Sequence, residues 1–147
     1  MKVRGRSTRT ASAARGRHTT IASKRARWGA LALMALAEGQ VEDAASMLKA
    51  SLRIHARLGD VLDTAVDLCR FAAVLAREGK AVTATRLLSS LEALGDEIGT
   101  RRSYVEELSE ETLTTIRMRL DEAALVEAWE QGRTLTIGEA VTLALAC

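Results

Sequence analysis

The side chains able to bind metal or act as nucleophiles are few: His18, His55, Cys69 and Cys147. A structural zinc site needs ligands paired at short spacing, as in Cys-x-x-Cys or His-x-x-x-His, and none of the four is so paired. No metal and no cofactor are expected. Cys69 and His55 are a nucleophile and a base by type, but only a helical hairpin would bring them together. Inside an apolar helical pattern Cys69 reads as a small buried residue, and His55, on the inner stripe of its helix, as a packed or edge histidine. The carboxylate pairs Glu106-Glu107, Glu110-Glu111 and Asp121-Glu122 fall in first turns of expected helices, where negative charge opposes the helix dipole favourably. No catalytic residue is assigned, and the chain reads as non-enzymatic.

The elements that would position these residues are helices. Pro is absent, aromatics are 3% of the chain, and the apolar content is mostly Ala and Leu, which are strong helix formers. No stretch alternates apolar and polar residues as a half-buried strand does. An all-α fold is expected, in one domain large enough to bury a core.

The stretch from Trp28 to Leu91 reads as one helical hairpin written twice. A shift of 40 residues lays Glu38-Gly39 on Glu78-Gly79, Ala44 on Ala84, and Met47-Leu48 on Leu87-Leu88. It also lays Trp28, Leu31 and Ala32 on Leu68, Phe71 and Ala72. Helices are expected at 24–38, 41–58, 61–78 and 81–94, with Gly39, Gly59 and Gly79 as stops and Asp60 as an N-cap. The stripe of the second helix is read as Ala44, Leu48, Ser51/Leu52, His55 and Leu58. Gly95-Asp96 echoes Gly59-Asp60. After Gly99, Ser103/Glu106 and Thr136/Glu139 have capping-box spacing, with Asp121 opening a helix between them that carries Leu125, Val126 and Trp129 and closes at Gly132. Residues 103–146 are expected to cap the stack formed by units 24–58 and 61–94. Trp28 and Trp129 are assigned to core packing.

Charge divides the chain. Residues 1–27 hold nine Lys/Arg and no Asp or Glu, leaving 12 Lys/Arg against 19 Asp/Glu in the rest, a net charge of −7. Residues 1–23 have no apolar stripe and read as a disordered basic tail. Arg4, Arg6, Arg9, Arg15 and Arg17 suit contact with nucleic-acid phosphate. The same composition suits an organelle transit peptide or a solvated tail. No aromatic is interleaved for base stacking. No apolar run approaches membrane-spanning length, and two unpaired thiols fit a reducing, cytoplasmic setting.

The doubled unit resembles the tetratricopeptide repeat, whose first helix carries a large residue, a Leu and a small residue. Here these are Trp28, Leu31 and Ala32, then Leu68, Phe71 and Ala72. The period of 40 exceeds that family's usual ~34, and its closing Pro is replaced by Ala56 and Asp96. Residues Ala128 to Val141, together with Leu87 to Gly95, resemble the terminal arm of large bacterial, actinobacterial-type transcriptional regulators and predicted ATPases. These include the LuxR-type, antibiotic-regulatory and cyclase-linked groups. Their phosphate-binding loop is absent here, and no DNA-reading helix-turn-helix is placed. The resemblance therefore implies only the arm: a short superhelix of stacked hairpins for sensing or protein interaction in signal transduction. Its concave face would include Leu33, Leu36, Ala37, Cys69, Ala73 and Arg77. The expected partner is a protein or peptide, a second copy, or a nucleotide-binding regulator module.

Overall fold

Each turn between the early helices is made by a glycine held at positive φ: Gly39 at 81°, Gly59 at 68° and Gly79 at 83°. Only glycine enters this region without a Cβ clash, so these three positions fix where the helices end. The turns share one pattern of bonds. Gly39 N–H donates to the Leu36 carbonyl and Gln40 N–H to that of Ala35. Gly59 and Asp60 donate to Ala56 and His55, and Gly79 and Lys80 to Ala76 and Leu75. This is the Schellman closure, which satisfies carbonyls that a helix end would otherwise leave open.

The computed structural model describes Gly29, residues 31–98 and residues 103–147. The tail at 1–23, with Arg4, Arg6, Arg9, Arg15 and Arg17, lies outside the described residues, as does Trp28. The described chain is all-α, with no strand among the described residues. Helix α1 covers 31–37. It is followed by α2 (Val41–Leu58), α3 (Val61–Arg77), α4 (Ala81–Ile98), α5 (Ser103–Arg117), α6 (Glu122–Arg133) and α7 (Ile137–Leu145).

Side-chain caps start three of these helices. Asp60 accepts from Asp63 N–H and Asp121 from Ala124 N–H. Thr136 and Glu139 close a full capping box. Each such cap contributes about 1 kcal/mol.

Three expectations are corrected. Gly95-Asp96 does not end the fourth helix, which runs on to Ile98. With no left-handed glycine there, the ladder is not interrupted. Leu58, expected on the inner stripe of α2, is 61% exposed at the last position before the turn at Gly59. Val126, expected to face inward on α6, is also exposed.

The core is built from α3 and α4. Leu68, Cys69, Phe71, Ala72, Val74, Leu75, Ala84 and Leu87 are buried with Leu48 and Leu52 of α2 and Ile116 of α5. Small residues sit where helices approach most closely: Ala44 and Ala84, one turn after Gly39 and Gly79, are fully buried. Helix α6 packs on α4 rather than folding back on α5. Gly132 makes that approach possible, because a Cβ there would overlap the Arg86 carbonyl and lie 2.7 Å from the Arg86 Cα. The Ser89 hydroxyl donates to the Trp129 carbonyl at 2.5 Å across the same contact. Gly132 is therefore a contact residue inside α6, not the stop that its sequence position suggested. Helix α7 packs on α4, α3 and α2, and Lys49 of α2 donates to the Cys147 main-chain oxygen.

Candidate functional site

A buried polar cluster joins α2 to α3. Ser51 and His55 are one helical turn apart on α2, so both present to the same neighbour. Across the turn at Gly59, Asp67 of α3 meets them. Its Oδ2 accepts from Ser51 Oγ at 2.8 Å and lies 2.5 Å from His55 Nδ1. Ser51 Oγ is 3.4 Å from the same imidazole nitrogen. The other carboxylate oxygen is 3.9 Å from Arg70 Nη1, one turn along α3. All three α2–α3 partners are buried. Burial pushes the Asp67 carboxyl above its ordinary range, against the opposing pull of the His55 and Ser51 hydrogen bonds and the His55 and Arg70 charges.

Ser, His and Asp are the residue types of a hydrolase, but the order is wrong for that chemistry. A nucleophilic serine must face the imidazole nitrogen opposite the one held by the acid. Here Ser51 binds the acid itself, and both sit on the Nδ1 side. His55 Nε2 is buried and has no partner among the described residues. The arrangement locks the hairpin. It offers no nucleophile to solvent.

The imagined Cys69–His55 pair does not form. His55 makes its contacts with Ser51 and Asp67, and Cys69 Sγ meets Ser109 Oγ of α5 at 3.5 Å. Burial pushes the Cys69 thiol up, against the Ser109 hydrogen bond and the Arg70 charge, which keeps it protonated and unreactive. Among the described residues no three His, Cys, Asp or Glu side chains group as a metal site.

The expected concave face is largely taken up by the chain itself. Leu36, Cys69 and Ala73 are buried, and α5 packs along α3 with Ser109 beside Cys69. The cause is the stripe of α5, whose Ile116 and Thr112 need cover and take it from α3 and α4. Leu33 is half-buried, while Ala37 and Arg77 are exposed. Arg77 donates to the Leu36 carbonyl at 3.4 Å.

A groove of about 260 Å³ opens between α3, α4 and the connection from α6 to α7, with Leu68, Leu91, Leu94, Leu135 and Ile137 on its walls. The hydroxyls there are turned to their own backbone. Ser90 donates to the Leu87 carbonyl and Thr134 to that of Gln131, while Thr136 Oγ1 accepts from Glu139 N–H. Arg133 also lines the groove and lies 3.7 Å from Glu130.

Among protein-family models, curated proteins and solved structures, none matches this chain.

Apolar exposure is concentrated on α1 and around the α2–α3 turn. Leu31 and Met34 are 40% and 59% exposed. Their counterparts 40 positions on, Phe71 and Val74, are 1% and 0% exposed. Phe71 and Val74 continue the stripe of α3 that begins at Asp67, which meets α2. Helix α1 has no helix in the place that α2 takes against α3 among the described residues. Asp67, Ser51 and the exposure of Leu31 were not anticipated as features of one arrangement. The 40-residue shift pointed the other way: it aligns Leu31 with the buried Phe71 and sets Leu31 on the apolar side of the first helix, whereas Leu31 is exposed.

Proposed function

We propose that this chain is a non-enzymatic helical-repeat interaction module of the cytoplasm, acting in signal transduction as the sensory or partner-binding arm of a bacterial transcriptional regulator. One observation carries the reading: Leu31 and Met34 stand open on α1 while their counterparts Phe71 and Val74 are buried. Large apolar side chains left in a row on a helix invite a partner. Helix α3 has α2 against it, and among the described residues α1 has no such neighbour. The partner is a protein or peptide that supplies this neighbour: a regulator module, or a second copy of the chain.

The test compares the wild-type chain with a Leu31→Glu/Met34→Glu variant by crosslinking and size-exclusion chromatography with light scattering, alone and with a co-expressed regulator module. Association present in the wild type and lost in the variant supports the reading. A wild-type chain that stays monomeric and crosslinks no more than the variant overturns it.

A second reading has its own observation, the nine Lys/Arg without an acid in residues 1–27. In this reading the chain is nucleic-acid-associated through Arg4, Arg6, Arg9, Arg15 and Arg17. A salt titration of DNA binding separates the two, because each phosphate contact steepens the salt dependence. If the full chain and a chain beginning at Lys24 bind alike, the tail is not a binding element.

A further inference from the structure

The guanidinium of Arg70 connects the buried α2–α3 seam to the start of α1. Its Nη1 lies 3.9 Å from Asp67 Oδ1, and the side chain is 19% exposed. It fills the space beside Gly29, where a Cβ would overlap Nη1 and lie 2.8 Å from Cζ. Gly29 is buried and helical, so the guanidinium lies against the backbone just ahead of α1. The two carboxylate oxygens of Asp67 therefore have separate neighbours. Oδ2 has Ser51 and His55 of α2, and Oδ1 faces Arg70. A proton that neutralises the acid has its open place on Oδ1, because Oδ2 already holds two hydrogen-bond partners.

We propose that Asp67 and Arg70 form a proton-sensitive latch on α1. With Oδ1 ionised, the guanidinium is held across Gly29 and α1 stays docked. With a proton on Oδ1, two donors face one another, the charge attraction is gone, and the start of α1 loosens. The groups that act on Asp67 are Ser51 and His55 of α2 and Arg70 of its own helix, while α4, α5 and α7, also packed on α3, bring none. Arg70 pulls the carboxyl down, so the acid titrates higher once Arg70 has left. By linkage the latch tightens as pH rises through that window and opens as pH falls. Burial acts on unfolding of the whole chain and in the opposite sense, so the latch is read on α1 alone. Helix α1 also carries Leu31 and Met34. That the latch regulates a partner there rests on the proposed function, whereas the latch itself needs no partner.

The test is hydrogen exchange of the full chain, read by mass spectrometry on peptides covering residues 31–40 and on peptides covering α2 and α3. Asp67→Asn is a permanently uncharged form whose carbonyl keeps Ser51 and His55 while its amide N–H faces Arg70. At neutral pH it should speed exchange in 31–40 at least about threefold, with α2 and α3 within about twofold of the wild type. Gly29→Ala, which displaces the guanidinium and leaves the acid in place, should give the same local increase. In the wild type, protection of 31–40 corrected for intrinsic rate should fall as pH is lowered from about 7 towards about 4, and in Asp67→Asn it should stay level. Unchanged exchange of 31–40 in either variant, an increase spread equally over α2 and α3, or wild-type protection that does not change with pH would each overturn the latch. Loss of association in Leu31→Glu/Met34→Glu, or its absence, bears on the proposed function alone.

Discussion

His55 Nδ1 lies 2.5 Å from Asp67 Oδ2 in the buried seam between α2 and α3, with Ser51 on the same oxygen. A carboxylate removed from water is costly unless its hydrogen bonds are made, and here one helix supplies both partners for an acid on the next.

Removing Asp67 should therefore destabilise the chain more than reshaping it. Asp67→Ala strands Ser51 and His55 together and is expected to cost about 3 kcal/mol. Asp67→Asn, which keeps the shape and an acceptor, should cost less than about 1 kcal/mol. Urea denaturation of both variants checks this. A double-mutant cycle with His55→Ala should show coupling of at least about 1 kcal/mol.

The same carboxyl makes stability depend on pH. The native carboxyl titrates above its ordinary value of 3.8 because it is buried. In the window from there up to its raised native value, the folded state holds a proton that the unfolded state has lost. Stability then falls as pH rises through that window. The difference in stability between the wild type and Asp67→Asn, measured by denaturation at steps of pH from about 4 upward, should shrink with increasing pH and then level off. A difference that grows with pH would refute it.

Gly132→Ala tests the α4–α6 contact. In an open helix this change would stabilise by up to about 1 kcal/mol. Here the new methyl would overlap the Arg86 main chain and crowd Ser89 Cβ at 2.8 Å. The expected outcome is a net loss of about 2 kcal/mol, with the melting temperature lowered.

Thiol reactivity should split the two cysteines. Cys69 is fully buried and its thiol is pushed up by burial, whereas Cys147 is partly accessible. Titration with Ellman's reagent should count one thiol in the native chain and two in guanidinium chloride. Cys147→Ser should leave none reactive in the native chain.

Where helix boundaries were readable they rest on local chemistry, whereas Gly95 and Gly132 were misread as stops. Gly39, Gly59 and Gly79 stop helices through their own φ, and Asp60, Asp121 and Thr136 start them through their own side chains. Ser51 and His55 fell on the inner stripe by spacing alone. Asp67 was missed because a carboxylate inside an apolar pattern reads as solvent-facing until its partners across the turn are known. The cover of Cys69 by α5, with Ser109 beside it, was missed for a related reason. It depends on packing between segments 40 residues apart, which no local pattern encodes. Leu58 was misread because the spacing that carries the stripe of α2 was extended to its final residue, which sits at the turn and is exposed.

Helix α7 has a consequence for assembly. A row of helical hairpins in contact only with neighbours can fold piecemeal, each added unit settling on the last. Here the last described helix to leave the ribosome docks beside α2, and Lys49 grips its end. The early hairpins must wait, partly uncovered, until translation delivers that helix. Melting should then proceed as one event rather than unit by unit.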